Sequence, residues 1–167
     1  MKRLAAFVLA VLALVLADQA VKEVMLRLLP MGGGRSIVVV DGFFNLLCVG
    51  NEGCAWSLLQ GHGKALAAFG LLMLALLVWK RRAVFLGDLA GRRLATARVA
   101  EKLLYAGILG NVIDRLFRGV VVDMFDFQFG SYHYPCFNVA DVYICTAAGL
   151  LVILSFLPKA KADKADA

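Results

Sequence analysis

Residues 139–157 form an uninterrupted apolar run whose single charge, Asp141, stands at its beginning. Its length approaches the ~20 apolar residues that cross a hydrocarbon core, and few soluble folds have a place for such a segment. Three further apolar stretches, approximately 4–21, 65–79 and 99–115, precede it. They are less clean: the first carries Asp18, the second is short, and the third is uncharged only over 103–113. Hydrophobic residues make up 62% of the chain and the mean hydropathy is +0.80, well above an ordinary soluble domain. The expected fold is therefore a membrane α-helical domain over residues 1–158 with four spans, followed by a disordered tail at 159–167.

Basic residues orient the spans. Lys2 and Arg3, then Lys80, Arg81, Arg82, Arg92, Arg93, Arg98 and Lys102, then Lys159, Lys161 and Lys164 account for most of the 18 Lys and Arg, and all fall on one side of a four-span arrangement. Both termini are expected to face the cytoplasm. The net charge of +6 then reflects that pattern and anionic lipid rather than a nucleic-acid partner. The first segment has the basic start of a signal peptide but no Ala-x-Ala site follows its apolar run, so it is expected to be retained.

The outer connection contains strand signals. Residues 36–40 are β-branched and aliphatic, Asp41-Gly42 signals a two-residue turn, and 43–49 is apolar again. Residues 119–129, with Val120, Val121 and Val122, are expected to add to that hairpin, so that the regions 36–50 and 119–129 make a small extracytoplasmic sheet. The basic stretch 80–98 is expected to be a cytoplasmic loop.

An ionisable side chain inside a span costs about 2.5–3.5 kcal/mol on insertion scales, so each one needs an explanation. Asp18 and Lys22 are one helical turn apart and can pair. Gly107, Asn111 and Arg115 share a face, with Asp114 beside them; Ala106 and Gly110 give a small-xxx-small pattern suited to close helix approach. Asn138, Asp141 and Cys145 share a face of the last span, where Asp141 can cap the helix or do chemistry. Asp123 follows three valines; with 119–129 folded back, it can meet Asp141. Two adjacent carboxyl groups cannot both ionise cheaply, so one keeps its proton and the other acts as a base. Asp126 is a rival for the first position.

Two other classes are open to such a chain. A thiol oxidoreductase could use Cys48, Cys54, Cys136 and Cys145, but no Cys-x-x-Cys pair is present. An ion or proton transporter could use Asp141, Asp114 and Arg115, but it would place polar residues at mid-depth in several spans, whereas these cluster at one end. His62 and His133 lack the neighbours of a metal site; His133, between Tyr132 and Tyr134, reads as part of an interfacial aromatic rim with Trp56 and Trp79.

The motifs resemble those of the type II signal peptidases, which cleave bacterial prolipoproteins. Asp18, Gln19 and Lys22 are similar to the family's DQxxK. The stretch FFNLLCVGNEGCAWSLL, with Asn51, Gly53 and Ala55, is similar to its FxLxxVxNxGAAF block. GILGNVIDRLFRGVVVDMF, with Gly107, Gly110, Asn111, Asp114, Arg115, Gly119 and Asp123, is similar to GxxGNxxDRxxxGxVxDF, and FNVAD, with Phe137, Asn138, Ala140 and Asp141, to FNxAD. The resemblance implies an aspartic endopeptidase with Asp123 and Asp141 catalytic and no metal or cofactor. It implies supporting or substrate-binding places for Asn51, Gly53, Asn111, Asp114, Arg115, Asn138, Asp18 and Lys22. It further implies a diacylglyceryl-prolipoprotein substrate cut before its lipidated Cys, contact with membrane lipid, a monomer in the bacterial inner membrane with the site at the outer surface, and inhibition by cyclic peptides such as globomycin. Met124, Cys54, Trp56, Ala106 and Ile108 depart from the family's usual residues, all by small or apolar exchange.

Overall fold

A computed structural model describes residues 1–53, 60–87 and 89–157. Cys54, Ala55, Trp56 and the tail at 159–167 lie outside the described residues. Four α-helices, α1 (Lys2–Leu28), α2 (Gly63–Trp79), α3 (Gly91–Phe117) and α4 (Val139–Phe156), carry a sheet of β1 (Ile37–Val40), β2 (Phe44–Asn51), β3 (Val121–Phe129) and β4 (Tyr132–His133). Among the described residues, α1 and α4 are long and apolar enough to cross a membrane; α2 is apolar and shorter.

The helix ends follow from local chemistry. Leu29 leaves the helical region immediately before Pro30, whose ring disfavours a helical predecessor. At α4 a capping box starts the helix: the Asn138 side chain accepts the Asp141 N–H while the Asp141 carboxyl accepts the Asn138 N–H. α1 runs well beyond the expected 4–21, because the buried faces of Asp18, Lys22 and Met25 continue its inner stripe past the purely apolar part.

The expected loop at 80–98 is largely helical. A π-helical turn occupies Arg82–Leu86, and α3 begins at Gly91. What orders this region is a fully buried acid: Glu101 receives both the Nε and Nη2 groups of Arg81, with Phe85 and Tyr105 packed edge to face beside them. A bidentate arginine partner lets Glu101 sit in the interior.

α3 is the central helix and packs on α1, α2 and α4. Its glycines permit this. A Cβ on Gly107 would lie 2.5 Å from the carbonyl oxygen of Ala140, and one on Gly110 would lie 2.6 Å from Asp18 Oδ2. α4 and α1 thus approach α3 through the absence of a side chain.

The sheet is antiparallel throughout, in the order β1-β2-β3-β4. The expected two-residue hairpin turn is instead a three-residue connection, with Val40 paired to Phe44 and Gly42 at φ 66°. Buried Val122 and Met124 of β3 and Cys48 of β2 pack against Met25 of α1 and Leu29 just past its end, seating the sheet on one end of the helices.

Pairing of β2 with β3 shifts by one residue between Leu46 and Val49. This bulge positions the site. Side chains alternate along a strand, so Asn51 would ordinarily face away from Phe44 and Leu46. The extra residue reverses the parity: Phe44 pairs with Phe127, Leu46 with Phe125, Val49 with Asp123 and Asn51 with Val121, all on one face.

Candidate active site

Three elements bring polar side chains to the junction of sheet and helices. β3 presents Asp123, the first turn of α4 presents Asn138 and Asp141, and α3 presents Asn111, Asp114 and Arg115. The join between β3 and α4 is made by backbone: the Phe137 carbonyl accepts the N–H groups of Met124 (3.0 Å) and Phe125 (2.9 Å), which sets the start of α4 beside Asp123.

Asn138 touches both carboxyl groups. Its side-chain amide donates to Asp123 Oδ1 at 2.7 Å and its backbone N–H donates to Asp141 Oδ2 at 3.1 Å. The second oxygen of each acid is also held, Asp123 Oδ2 by the Asn51 amide at 2.9 Å and Asp141 Oδ1 by the Asn111 amide at 2.8 Å. Asp141 therefore caps its helix and faces the same space as Asp123. That space is a cavity of about 830 Å³ whose polar lining includes Asn51, Asn111, Arg115, Asp123 and Asp141, and whose apolar lining includes Phe127, Phe129, Tyr134, Phe137 and Val142. The aromatic wall is continuous, with Phe127 stacked on both Phe44 and Phe137.

Asp123 is 2% exposed. Burial pushes its carboxyl up from 3.8 to about 6; the charge of Asp141 acts in the same direction, against the amide hydrogen bonds of Asn51 and Asn138 and the charge of Lys22. An acid with a raised native value costs the folded state stability once it ionises, so this penalty is absent below about pH 4 and develops as pH rises from 4 through 6. The displacement corresponds to roughly 3 kcal/mol. The stability of an Asp123→Asn variant relative to wild type, measured by thermal unfolding in detergent, should accordingly improve by about 2–3 kcal/mol between pH 4 and pH 7. A pH-independent difference would show that Asp123 is not held in this state.

Asp126 behaves differently. It lies on the opposite face of β3, is absent from the cavity lining, and accepts from Asn45 (3.2 Å) and Gln128 (2.8 Å), with His133 Nδ1 at 3.5 Å. Burial pushes its carboxyl up, but these partners outweigh it and hold the group below its ordinary value. His133, read as part of an aromatic rim, thus has a specific partner that fixes β4.

Beneath the cavity lies a charged cluster. Lys22 Nζ is 2.9 Å from Asp18 and 2.7 Å from Asp114, and all three side chains are fully buried. Asp114 also accepts from Arg118 at 2.5 Å and from Gln19 at 3.2 Å. Sequence reasoning passed over Arg118; the signal that would have found it is its i+4 spacing from Asp114. Arg115 reaches across to the Gly53 carbonyl at 2.8 Å, while Gly53 donates its N–H to Asn51 Oδ1. Arg115 and Gly53 so support Asn51, the residue that holds Asp123.

Cys48, Cys136 and Cys145 are free thiols. Cys136 and Cys145 line the cavity. Burial, with the charges of Asp126 and Asp123, pushes Cys136 up to about 11, which leaves it a neutral thiol unsuited to exchange chemistry near neutral pH.

The family model for signal peptidase (SPase) II matches residues 10–157. Curated relatives named lipoprotein signal peptidase include those of Aeromonas hydrophila, 39% identical over 93% of this chain and 90% of that protein, and Bacillus pumilus, 36% identical over 84% and 85%. Two solved structures of bacterial membrane enzymes superpose with TM-scores of 0.78 and 0.74, at 28% and 30% identity; they cover 98% and 91% of this chain and 94% and 93% of their own.

Proposed function

The chain belongs to the signal peptidase II family of bacterial membrane peptidases, and on that premise we propose that it is an aspartic endopeptidase that removes signal peptides from diacylglyceryl-modified prolipoproteins, with Asp123 and Asp141 as its catalytic pair. The observation that carries this reading is the tie through Asn138, which joins two carboxyl groups in one otherwise largely apolar cavity.

One carboxyl of the pair holds the shared proton and polarises the scissile carbonyl, while the other takes a proton from the attacking water. Water oxygen bonds to the carbonyl carbon, the C–N bond breaks, and the departing amine receives a proton from the pair. The four amide and backbone donors on the two carboxyls fix both groups before substrate arrives, so little reorganisation is needed in the transition state.

In this reading all four helices span the inner membrane, with both termini cytoplasmic and the sheet outside. The apolar side of the cavity, with Val142, Cys145 and Thr146 on α4, lies at the membrane surface where diacyl chains deliver the bond before the modified Cys. The enzyme acts as a monomer without metal or cofactor, and a cyclic peptide such as globomycin in the cavity would cover both aspartates.

Purified protein should be given a diacylglyceryl-prolipoprotein and the same precursor without lipid, and the products identified by mass spectrometry. Cleavage of the first only, immediately before the modified Cys, is the expected outcome. Equal cleavage of both, or of neither, overturns the proposal.

A further inference from the structure

Two backbone contacts in the buried cluster have the same form. Asp114 Oδ2 accepts the N–H of Val122 at 3.2 Å, and Val122 is the residue before Asp123. Asp18 Oδ1 accepts the N–H of Ala140 at 2.9 Å, and Ala140 is the residue before Asp141. Each carboxylate therefore holds the backbone one residue before a member of the pair. Lys22 lies between these carboxylates, within ion-pair distance of both, and its Nζ also donates to Asn111 Oδ1 at 3.3 Å. Asn111 in turn donates to Asp141.

From this geometry, and resting on the reading of Asp123 and Asp141 as the catalytic pair, we propose that Lys22 is the shared positioning residue of the reaction: through Asp114 and Asp18 it holds the two backbone segments that present the pair in mutual register, and through Asn111 it directs its positive charge at Asp141.

A lysine whose only task was to tolerate its depth would be satisfied by Asp18, one turn away on its own helix. Lys22 instead joins helices α1 and α3, and through the carboxylates reaches β3 and α4. Ala140 N–H is one of the unpaired donors at the start of α4, so Asp18 completes that helix terminus while holding it against α1. Gly110 leaves the space in which Asp18 makes the contact.

The charges around Lys22 are Asp18 on its own helix, Asp114 on α3 and Arg118 just past the end of α3, with Gln19 bridging Asp18 to Asp114. Asp141 and Tyr143 of α4 and Asp123 of β3 feel this cluster. Cys48 of β2 and Cys136 feel Asp123 in turn. Removing Lys22 alone leaves Asp18 and Asp114 against Arg118, an added negative charge beside the pair. Removing Lys22 and the charge of Asp18 together restores the balance, and an Asn at position 18 still offers a carbonyl to Ala140 N–H.

The test compares wild type, Lys22→Met and the double variant Asp18→Asn/Lys22→Met for prolipoprotein cleavage over pH 5–9, with thermal unfolding alongside. Lys22→Met should lose kcat on the order of 10²-fold with little change in KM, as expected when catalytic groups are misplaced by about an ångström. Its kcat/KM profile should move toward higher pH by about one unit, as an added negative charge requires. The double variant should unfold near the wild-type temperature and recover the wild-type pH profile, yet keep the low kcat, because nothing then spans the two anchoring side chains. Should Lys22→Met not fold, the double variant alone decides. Recovery of wild-type kcat in the double variant, or an undiminished kcat in Lys22→Met, overturns the proposal and leaves Lys22 as a stabilising ion pair. A wild-type protein inactive on the lipidated substrate overturns instead the functional reading on which the proposal rests.

Discussion

Asp123→Asn and Asp141→Asn are each expected to lower prolipoprotein cleavage by roughly 10²–10⁴-fold, the scale associated with loss of a positioned acid or base. Asp126→Asn should remain close to wild type. The substitutions are isosteric, so the outcome reports on protons rather than shape. Asp123 is enclosed by two donors, Asn51 and Asn138, and an amide there presents its own NH₂ to one of them; loss of the acid is thus joined by a misdirected hydrogen bond. Asp141 combines capping with a cavity-facing oxygen, and an Asn at 141 can still accept the Asn138 N–H. A helix that remains formed while cleavage is abolished would separate Asp141's chemical part from its capping part. Near-UV dichroism and melting temperature check the fold, and product analysis by gel shift checks activity. Cleavage surviving in either of the first two variants would remove the aspartic mechanism.

The contrast between Asp123 and Asp126 shows where sequence reading reached and where it stopped. Three residues apart on a strand, they must point to opposite faces, but nothing local says which face meets the helices. That depends on Val122 and Met124 turning toward Met25 of α1 and Leu29 just past its end, a long-range packing choice. The place of Asn51 was hidden more deeply, because the bulge after Leu46 reverses its facing and leaves no residue signature in an otherwise apolar strand. The start of α4 was open to reading, since Asn138 and Asp141 have capping spacing and stand at the edge of an apolar run. Its double use was also open: both the capping and the chemical explanation of Asp141 were available, and the geometry contains the capping bond and the cavity-facing position together. The region 80–98 misled because its charges and glycines suggest a solvated loop. Glu101, more than twenty residues after the end of α2, supplies the partner for Arg81 that makes it ordered. Likewise the turn at Asp41-Gly42 was visible, but its length was set by the pairing of Val40 with Phe44. Local signals marked the elements; contacts between distant segments decided their facing and extent.

Gly107→Ala should be nearly as damaging as loss of a catalytic group, although residue 107 bears no side chain and carries out no chemistry. The added Cβ would stand 2.5 Å from the Ala140 carbonyl oxygen, 2.6 Å from Ile144 Cγ1 and 3.2 Å from the Ile144 backbone nitrogen. Ile144 can turn its side chain aside; the backbone of α4 cannot yield without moving the helix. The part that must move is the first turn, which carries Asn138 and Asp141, and it moves away from Asn111, one turn further along α3 from Gly107. The hydrogen bonds from Asn111 to Asp141 and from Asn138 to Asp123 would then lengthen together. Overpacking of this kind costs about 1–3 kcal/mol in stability, and a displacement near an ångström at the reacting groups costs on the order of 10²-fold in rate. Gly149→Ala is the matched comparison, since it lies in the same helix pair with no atom within 4 Å of the new Cβ, and there alanine should be neutral or favour the helix by up to about 1 kcal/mol. Melting temperature and kcat for the two variants decide the matter. If Gly107→Ala matches Gly149→Ala in both, α4 has freedom to shift without disturbing Asp141, and the pair does not depend on the close approach of α3 and α4 for its alignment.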